Sequence, residues 1–393
     1  MVNTLMLNTL KLTSSVLLFM TITMPISANS LTKDVEELRL PLASKTMPQV
    51  VNRYQNVNDG LNQQLSNATD ELSMTETIAS QGQRLWQQAV KDVQAGNIDD
   101  RPLYWSRLLM RESAKTHDVG YPIADWQRKV LVNVIEKSSR GFSDIQFKPE
   151  SQIKILVTGF DPFFLDKDIG QSNPSGVTAL ALDGYTFNIN GKQAQIETVM
   201  IPVRFADFDN GIIESLLTPI YRENSVDMIF TISMGREHFD LERFPGRNRS
   251  AAAPDNLNVL TGASKASPLA PFLNGKTLNG PEFVEFTLPV KAIQKVKGHW
   301  QINDNHQVTT TSRGQFDATS LAELHSATSV EGSGGGYLSN EISYRSILLM
   351  QQFNRNLPVG HIHTPRIKGH DSQLESDIVE QIKAMIGAAA STL

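Results

Sequence analysis

From Gln152 to the C-terminus the chain alternates short apolar runs with stretches of helical period, and this alternation limits the fold more than any other feature. Residues 153–157, 196–203 and 228–233 are short and almost wholly apolar, as strands buried on both faces must be. Residues 210–221, 290–296 and 340–353 read as helices, and a last helix starts near Leu374 with Leu374, Ile378, Ile382 and Met385 on one stripe. Strands of this kind separated by helices predict an α/β unit over residues 151–393: a mainly parallel sheet covered on both faces, in a three-layer α/β/α sandwich. Residues 298–332 interrupt the pattern with a polar stretch, expected to be a surface hairpin or loop.

Residues 29–150 carry a different rhythm and predict a helical N-terminal extension. Ser73-Met-Thr-Glu76 has the spacing of a capping box, followed by Ile78, Leu85, Trp86, Ala89, Val90 and Val93 at helical spacing up to Gly96. A second helix is expected near Pro102. A third spans about 125–139, with Trp126, Val130, Leu131, Val134 and Ile135 on one stripe and Gly141 just beyond its end. The tryptophans read as core anchors, and the Asn/Gln-rich residues 56–69 as a solvated helix or a loop. Such stripes need cover, which the helices give one another together with one flank of the following unit.

At 393 residues and 40% apolar composition the chain is large enough for both units. A net charge of −5 offers no broad basic surface, so no nucleic-acid partner is expected. Lys11, the mostly apolar run 12–24 and the small residues ending at Ala28 read as a secretory signal peptide over residues 1–28, implying a periplasmic or secreted protein. That run is too short and too interrupted for a stable membrane anchor. The absence of cysteine excludes disulfides, a thiolate nucleophile and Cys-ligated zinc. Oligomeric state, including a homo-oligomer, is left open.

Four ordered motifs carry a family resemblance over roughly residues 151–390. The first is Ile153-Lys-Ile-Leu-Val-Thr-Gly-Phe-Asp-Pro-Phe163. Gly235-Arg236 follows, with Glu242-Arg243 and Pro254-Asp255-Asn256. The third is Gly334-Gly-Gly-Tyr337-Leu-Ser339-Asn340, and the fourth His361-Ile-His363-Thr-Pro365. Together they resemble pyroglutamyl peptidase I, also called pyrrolidone carboxyl peptidase. The resemblance implies the same α/β/α sandwich, no cofactor, and a peptide or small lactam as substrate. Carried over by position, the family's catalytic glutamate falls on Glu242, its histidine on His363 and its cysteine on Ser339. Phe160 and Phe163 match the aromatic pair that packs against the lactam ring.

A nucleophile, a base and a group that orients the base are what acyl transfer needs. A hydroxyl, unlike a thiol, must lose its proton to the base during attack. Serine at this position therefore implies either a serine-type amide hydrolase that removes N-terminal pyroglutamate, or a catalytically inactive pseudoenzyme that binds a peptide or small lactam in the inherited cleft. Taken singly, Ser339 has the position of a helix N-cap. His361, His363 and His370 lack an acidic ligand cluster, so no metal is expected. The run Gly332 to Gly336 lacks a P-loop ending and reads as a turn whose amides could serve an oxyanion beside Ser339.

Overall fold

The computed structural model describes residues 31–118, 121 and 123–393. The signal-peptide assignment lies outside the described residues. Seven helices come first: α1 (Val35–Leu38), α2 (Leu40–Thr46), α3 (Pro48–Val51), α4 (Gln55–Ser66), α5 (Glu71–Gln94), α6 (Arg101–Thr116) and α7 (Asp125–Ser138). Then follow β1 (Ile153–Phe160), α8 (Pro174–Leu182), β2 (Thr186–Ile189), β3 (Lys192–Ile201), α9 (Phe205–Asp209), α10 (Ile212–Glu223), β4 (Met228–Met234) and β5 (Phe239–Glu242). The remainder holds β6 (Phe272–Leu273), β7 (Lys276–Thr277), α11 (Val290–Ile293), β8 (Ile302–Asn305), β9 (Gln307–Thr310), β10 (Gly314–Asp317), β11 (Ser329–Glu331), α12 (Leu338–Gln352), β12 (Val359–Thr364) and α13 (Ser372–Ala390).

The main sheet has the order β2-β3-β1-β4-β12-β5-β8. Its centre, β3-β1-β4-β12, is parallel; β2 and β5 pair antiparallel to their inner neighbours, and β8 runs parallel to β5. Buried on both faces, β1 and β4 show the continuous apolar burial that their sequence runs imply. Helices α8 and α13 pack together on one face, and α10 and α12 on the other. The expected three-layer α/β/α sandwich with a helical N-terminal region is what forms.

The extension and the sheet unit share one core. Ile78, Leu85, Trp86 and Val93 of α5 and Leu131 and Ile135 of α7 pack with Val177, Ala179 and Leu180 of α8, Met200 of β3 and Val379 of α13. Trp86 is fully buried and donates through Nε1 to Asp183 Oδ2 at 3.2 Å. Burying an aromatic side chain of this size contributes about 2–3 kcal/mol. Trp105 anchors a second cluster with Leu40, Val51 and Leu165.

Two local expectations are corrected, and two that left alternatives open are resolved. The cap of α5 is Asp70, whose side chain accepts from the Ser73 amide at 2.8 Å while Ser73 Oγ accepts from the Asp70 amide, so Ser73 is the third residue of the helix rather than its cap. Trp126 and Val130 are 62% and 45% exposed, because the buried face of α7 is turned toward Arg128, Leu131, Ile135 and Glu136. Residues 55–66 form a helix with Val57, Leu61 and Leu65 buried beneath its polar face. The stretch 298–332 is more than a loop: β8 extends the main sheet, and β9, β10 and β11 form a small antiparallel sheet of their own.

Between extension and sheet runs a buried ionic seam. Asp161, fully buried just after β1, meets Arg107 of α6 at 2.9 Å and Arg140, beyond α7, at 2.6 Å. Arg204 binds Glu36 at 3.0 Å and Glu136 at 2.7 Å, and Arg111 binds the same two carboxylates at 2.8 and 3.0 Å. Burial alone would raise the Glu36 pKa, but Arg204 and Arg111 hold it down to about 2.

Candidate active site

Open α/β sheets place their clefts outside the carboxyl ends of the strands. Here β1 ends at Phe160, β4 at Met234 and β12 at Thr364, and a cavity of about 260 Å³ opens beside them. Phe160, Phe163, Phe164, Val203, Tyr337, Ser233, Ser339 and His363 all line it. Four of the five carried-over residues therefore share one cavity, and the fifth, Glu242, lies behind His363.

Register explains how Glu242 and His363 meet. On β12, His363 is opposite Ser233 of β4 and Asp240 of β5, and Glu242 closes the short strand β5 two residues later. His363 Nδ1 lies 2.5 Å from Glu242 Oε1. An ionised carboxylate can only accept, so against a charged Glu242 the imidazole proton sits on Nδ1 and Nε2 carries none, in a residue that lines the cavity. Glu242 is fully buried, and burial raises its pKa against the lowering influence of His363. Its second oxygen accepts from Asn305 Nδ2 at 2.8 Å. The same amide also donates to the Ser333 carbonyl at 2.9 Å.

Ser339 stands in the first turn of α12, whose free amides point toward the cavity end of the helix. The N-cap of that helix is Tyr337, and no side chain caps it, so Ser339 does not serve as a cap. Its hydroxyl donates to the Gly334 carbonyl at 3.3 Å rather than to His363. The glycine turn before it is held in shape: Gly332 and Gly335 form a bridge, and Gly335 has φ +86°. A Cβ at Gly332 would lie 2.1 Å from Asn340 Oδ1, so only glycine fits under the helix start. Asn340 in turn clasps Gly246, accepting from its amide at 2.9 Å and donating to its carbonyl at 2.7 Å.

His361 is fully buried and engaged at both nitrogens, with Thr231 Oγ1 and Ser233 Oγ each at 2.8 Å. Burial, and then the neighbouring His363, push its pKa well below the usual histidine range, so it is a neutral wall of the site. Among the described residues no group of His, Asp and Glu is arranged to hold a metal ion. Two contributors escaped the sequence reading. Asn305 sits in the polar insertion, where only its register with Glu242 gives it a role. Arg366, directly after the His-Thr-Pro motif, joins Arg236 on the cavity lining.

These features define a class: an α/β protein with a buried carboxylate–imidazole pair opening on an aromatic-walled cleft at the strand ends. Within it, the chain belongs to the PA0049 family. The model of the PA0049 C-terminal domain matches residues 154–325 and 297–368, together more than half of the chain, and that of the PA0049 N-terminal domain matches residues 22–136. Protein PA0049 of Pseudomonas aeruginosa is 27% identical over 380 residues, spanning 73% of this chain and 69% of that one. Among solved structures, a mutant pyrrolidone carboxyl peptidase of Pyrococcus furiosus is similar with a TM-score of 0.43 and 23% identity, covering 61% of this chain and 100% of that one. The enzyme from the same organism solved with its cysteine-free mutant gives 0.42 and 22%, covering 61% and 99%.

Proposed function

We propose that this protein hydrolyses the amide bond after an N-terminal pyroglutamyl residue, with Ser339 as nucleophile, His363 as base and Glu242 orienting the base. The observation that carries the reading is the buried Glu242–His363 pair, whose histidine lines the same cavity as Ser339. The lactam ring would lie against Phe160 and Phe163. Ser339 Oγ would attack the pyroglutamyl carbonyl carbon as His363 Nε2 takes its proton, and amides of the α12 first turn would face the developing oxyanion. His363 would then give the proton to the departing amine, leaving a pyroglutamyl ester on Ser339. Water, deprotonated by His363, would release pyroglutamate and restore the hydroxyl.

The test is turnover of a pyroglutamyl amide reporter by purified protein. Loss of turnover in both Ser339→Ala and His363→Ala, with the fold intact by circular dichroism, is the expected result. Activity that survives Ser339→Ala refutes the nucleophile assignment. One observation favours a second reading: the Ser339 hydroxyl is turned to Gly334, as in a cleft that binds without cutting. On that reading the natural protein is inert toward the reporter, binds pyroglutamyl peptides in calorimetry, and gains activity in Ser339→Cys.

A further inference from the structure

The wall of the cavity beside His363 carries two guanidinium groups and no carboxylate. Arg236 and Arg366 line it, and no Asp or Glu is among its lining residues. The same two arginines also line an adjoining open groove, with Glu237, Ile367 and Lys368. They therefore form the ridge between the closed aromatic end and the open side.

Their backbones are locked to each other and to the strand that bears His363. The Gly235 amide donates to the Thr364 carbonyl at 2.8 Å, and the Arg366 amide to the Arg236 carbonyl at 2.7 Å. Gly235 is pressed so closely on the strand that a Cβ would fall 2.5 Å from His363 Cβ. Within this fixed frame, neither guanidinium makes a hydrogen bond or ion pair with a carboxylate or carbonyl among the described residues, although Glu242 feels the charge of Arg236, whereas Arg107, Arg140, Arg204 and Arg345 are each paired with a carboxylate. Glu237, the carboxylate on the groove, is paired with neither.

We propose that Arg236 and Arg366 form a carboxylate subsite on the leaving-group side, so that the substrates are short pyroglutamyl peptides bearing an anionic group just beyond the scissile bond. This rests on the reading of Ser339 and His363 above and adds the substrate class. A lactam in the aromatic end puts the scissile bond at His363, and the next residue then emerges over the arginine ridge. Guanidinium groups match a carboxylate in charge and in the fork of their donors. The carboxylate has two sources, a free C-terminus one residue after pyroglutamate or an acidic side chain at that residue.

Three peptides separate them: pyroglutamyl-alanine, its C-terminal amide, and pyroglutamyl-glutamate amide. The two exposed arginines should lower KM for a carboxylate-bearing peptide roughly fivefold relative to pyroglutamyl-alanine amide at low salt, with the advantage shrinking as salt rises. Arg366→Gln should bring the carboxylate peptide's KM up toward that of the amide. Preference for pyroglutamyl-alanine assigns the free C-terminus, and preference for pyroglutamyl-glutamate amide the side chain. Equal KM for all three at low salt overturns the proposal. Calorimetry with Ser339→Ala and the same peptides separates it from the catalytic reading. A carboxylate preference in binding, when the natural protein shows no turnover, upholds the subsite and refutes the hydrolase. Turnover without preference does the reverse, and absence of binding and turnover alike refutes both.

Discussion

Removing the carboxylate of Asp161 should destabilise the whole protein and not merely loosen a loop. Asp161 is fully buried between Arg107 and Arg140, which are 1% and 2% exposed at the side chain, with contacts of 2.9 and 2.6 Å. In Asp161→Ala both guanidinium groups stay buried. Arg107 keeps only the neutral Ser139 hydroxyl and carbonyl at 2.9 and 3.2 Å and is left without a counter-charge, while Arg140 loses one of its two carboxylates and keeps Glu136 at 2.8 Å. Removing one partner of a buried pair costs about 3–5 kcal/mol, against less than about 1 kcal/mol for an exposed pair such as Lys33–Glu112. Urea unfolding at neutral pH, read by tryptophan fluorescence, should show a large fall in midpoint at unchanged slope for Asp161→Ala and almost none for Lys33→Ala. A loss below about 1 kcal/mol for Asp161→Ala would refute the reasoning, since the seam would then be no more than a set of solvated charges.

Two further outcomes follow from single residues. Burial, and then the charge of Asp183, raise the Glu197 carboxyl from 4.5 to about 7, so the folded state holds a proton that the unfolded chain has already released. Native protein binds more protons across that window, so stability falls as pH rises from about 4.5 to about 7, by up to about 1 kcal/mol per pH unit; Glu197→Gln should flatten this fall, and identical melting curves across pH for the two proteins would count against the assignment. Gly235→Ala forces a Cβ to within 2.5 Å of His363 Cβ and 3.0 Å of the Thr364 carbonyl oxygen. Moving His363 by a fraction of this overlap should lower kcat on the pyroglutamyl reporter about a hundredfold while the far-ultraviolet spectrum stays native, and unchanged kcat would show that the ring's placement is not set by Gly235.

What could be read from the sequence, and what could not, follows from how far each signal reaches along the chain. Strands β1 and β4 were legible because burial on both faces writes itself as a short run in which apolar residues predominate. Asp70 and Ser73 each had the chemistry of a cap, and only the extended backbone of Asp70 selects it. The stripe of α7 looked single because Trp126 and Leu131 are both apolar, yet the helix turns the first to solvent and the second to the core. Glu36, Arg107, Arg111 and Glu136 carry no signal of burial in the sequence, since a charge is buried only when distant segments bring its partners, and most of those partners lie far away in sequence. Ser339, His363 and Glu242 were reached through family motifs; the pairing of β12 with β5 that brings Glu242 to His363 was not. Asn305 had no motif at all, and its place opposite Glu242 exists only once β8 joins the sheet.

The side-chain amide of Asn305 ties the carboxylate behind His363 to the turn before Ser339, beside the contacts that Phe244 and Gly246 already make with that turn and helix. One of its hydrogens goes to the carboxylate behind His363 and the other to the carbonyl of Ser333, in the glycine turn from which the helix of Ser339 springs. It thus works as a spacer, holding the Glu242–His363 pair and the turn before Ser339 to a common reference. The peripheral strands that deliver this amide are consequently a control point: changes in their length or tilt would move both partners in step, retuning the cleft without any substitution inside it.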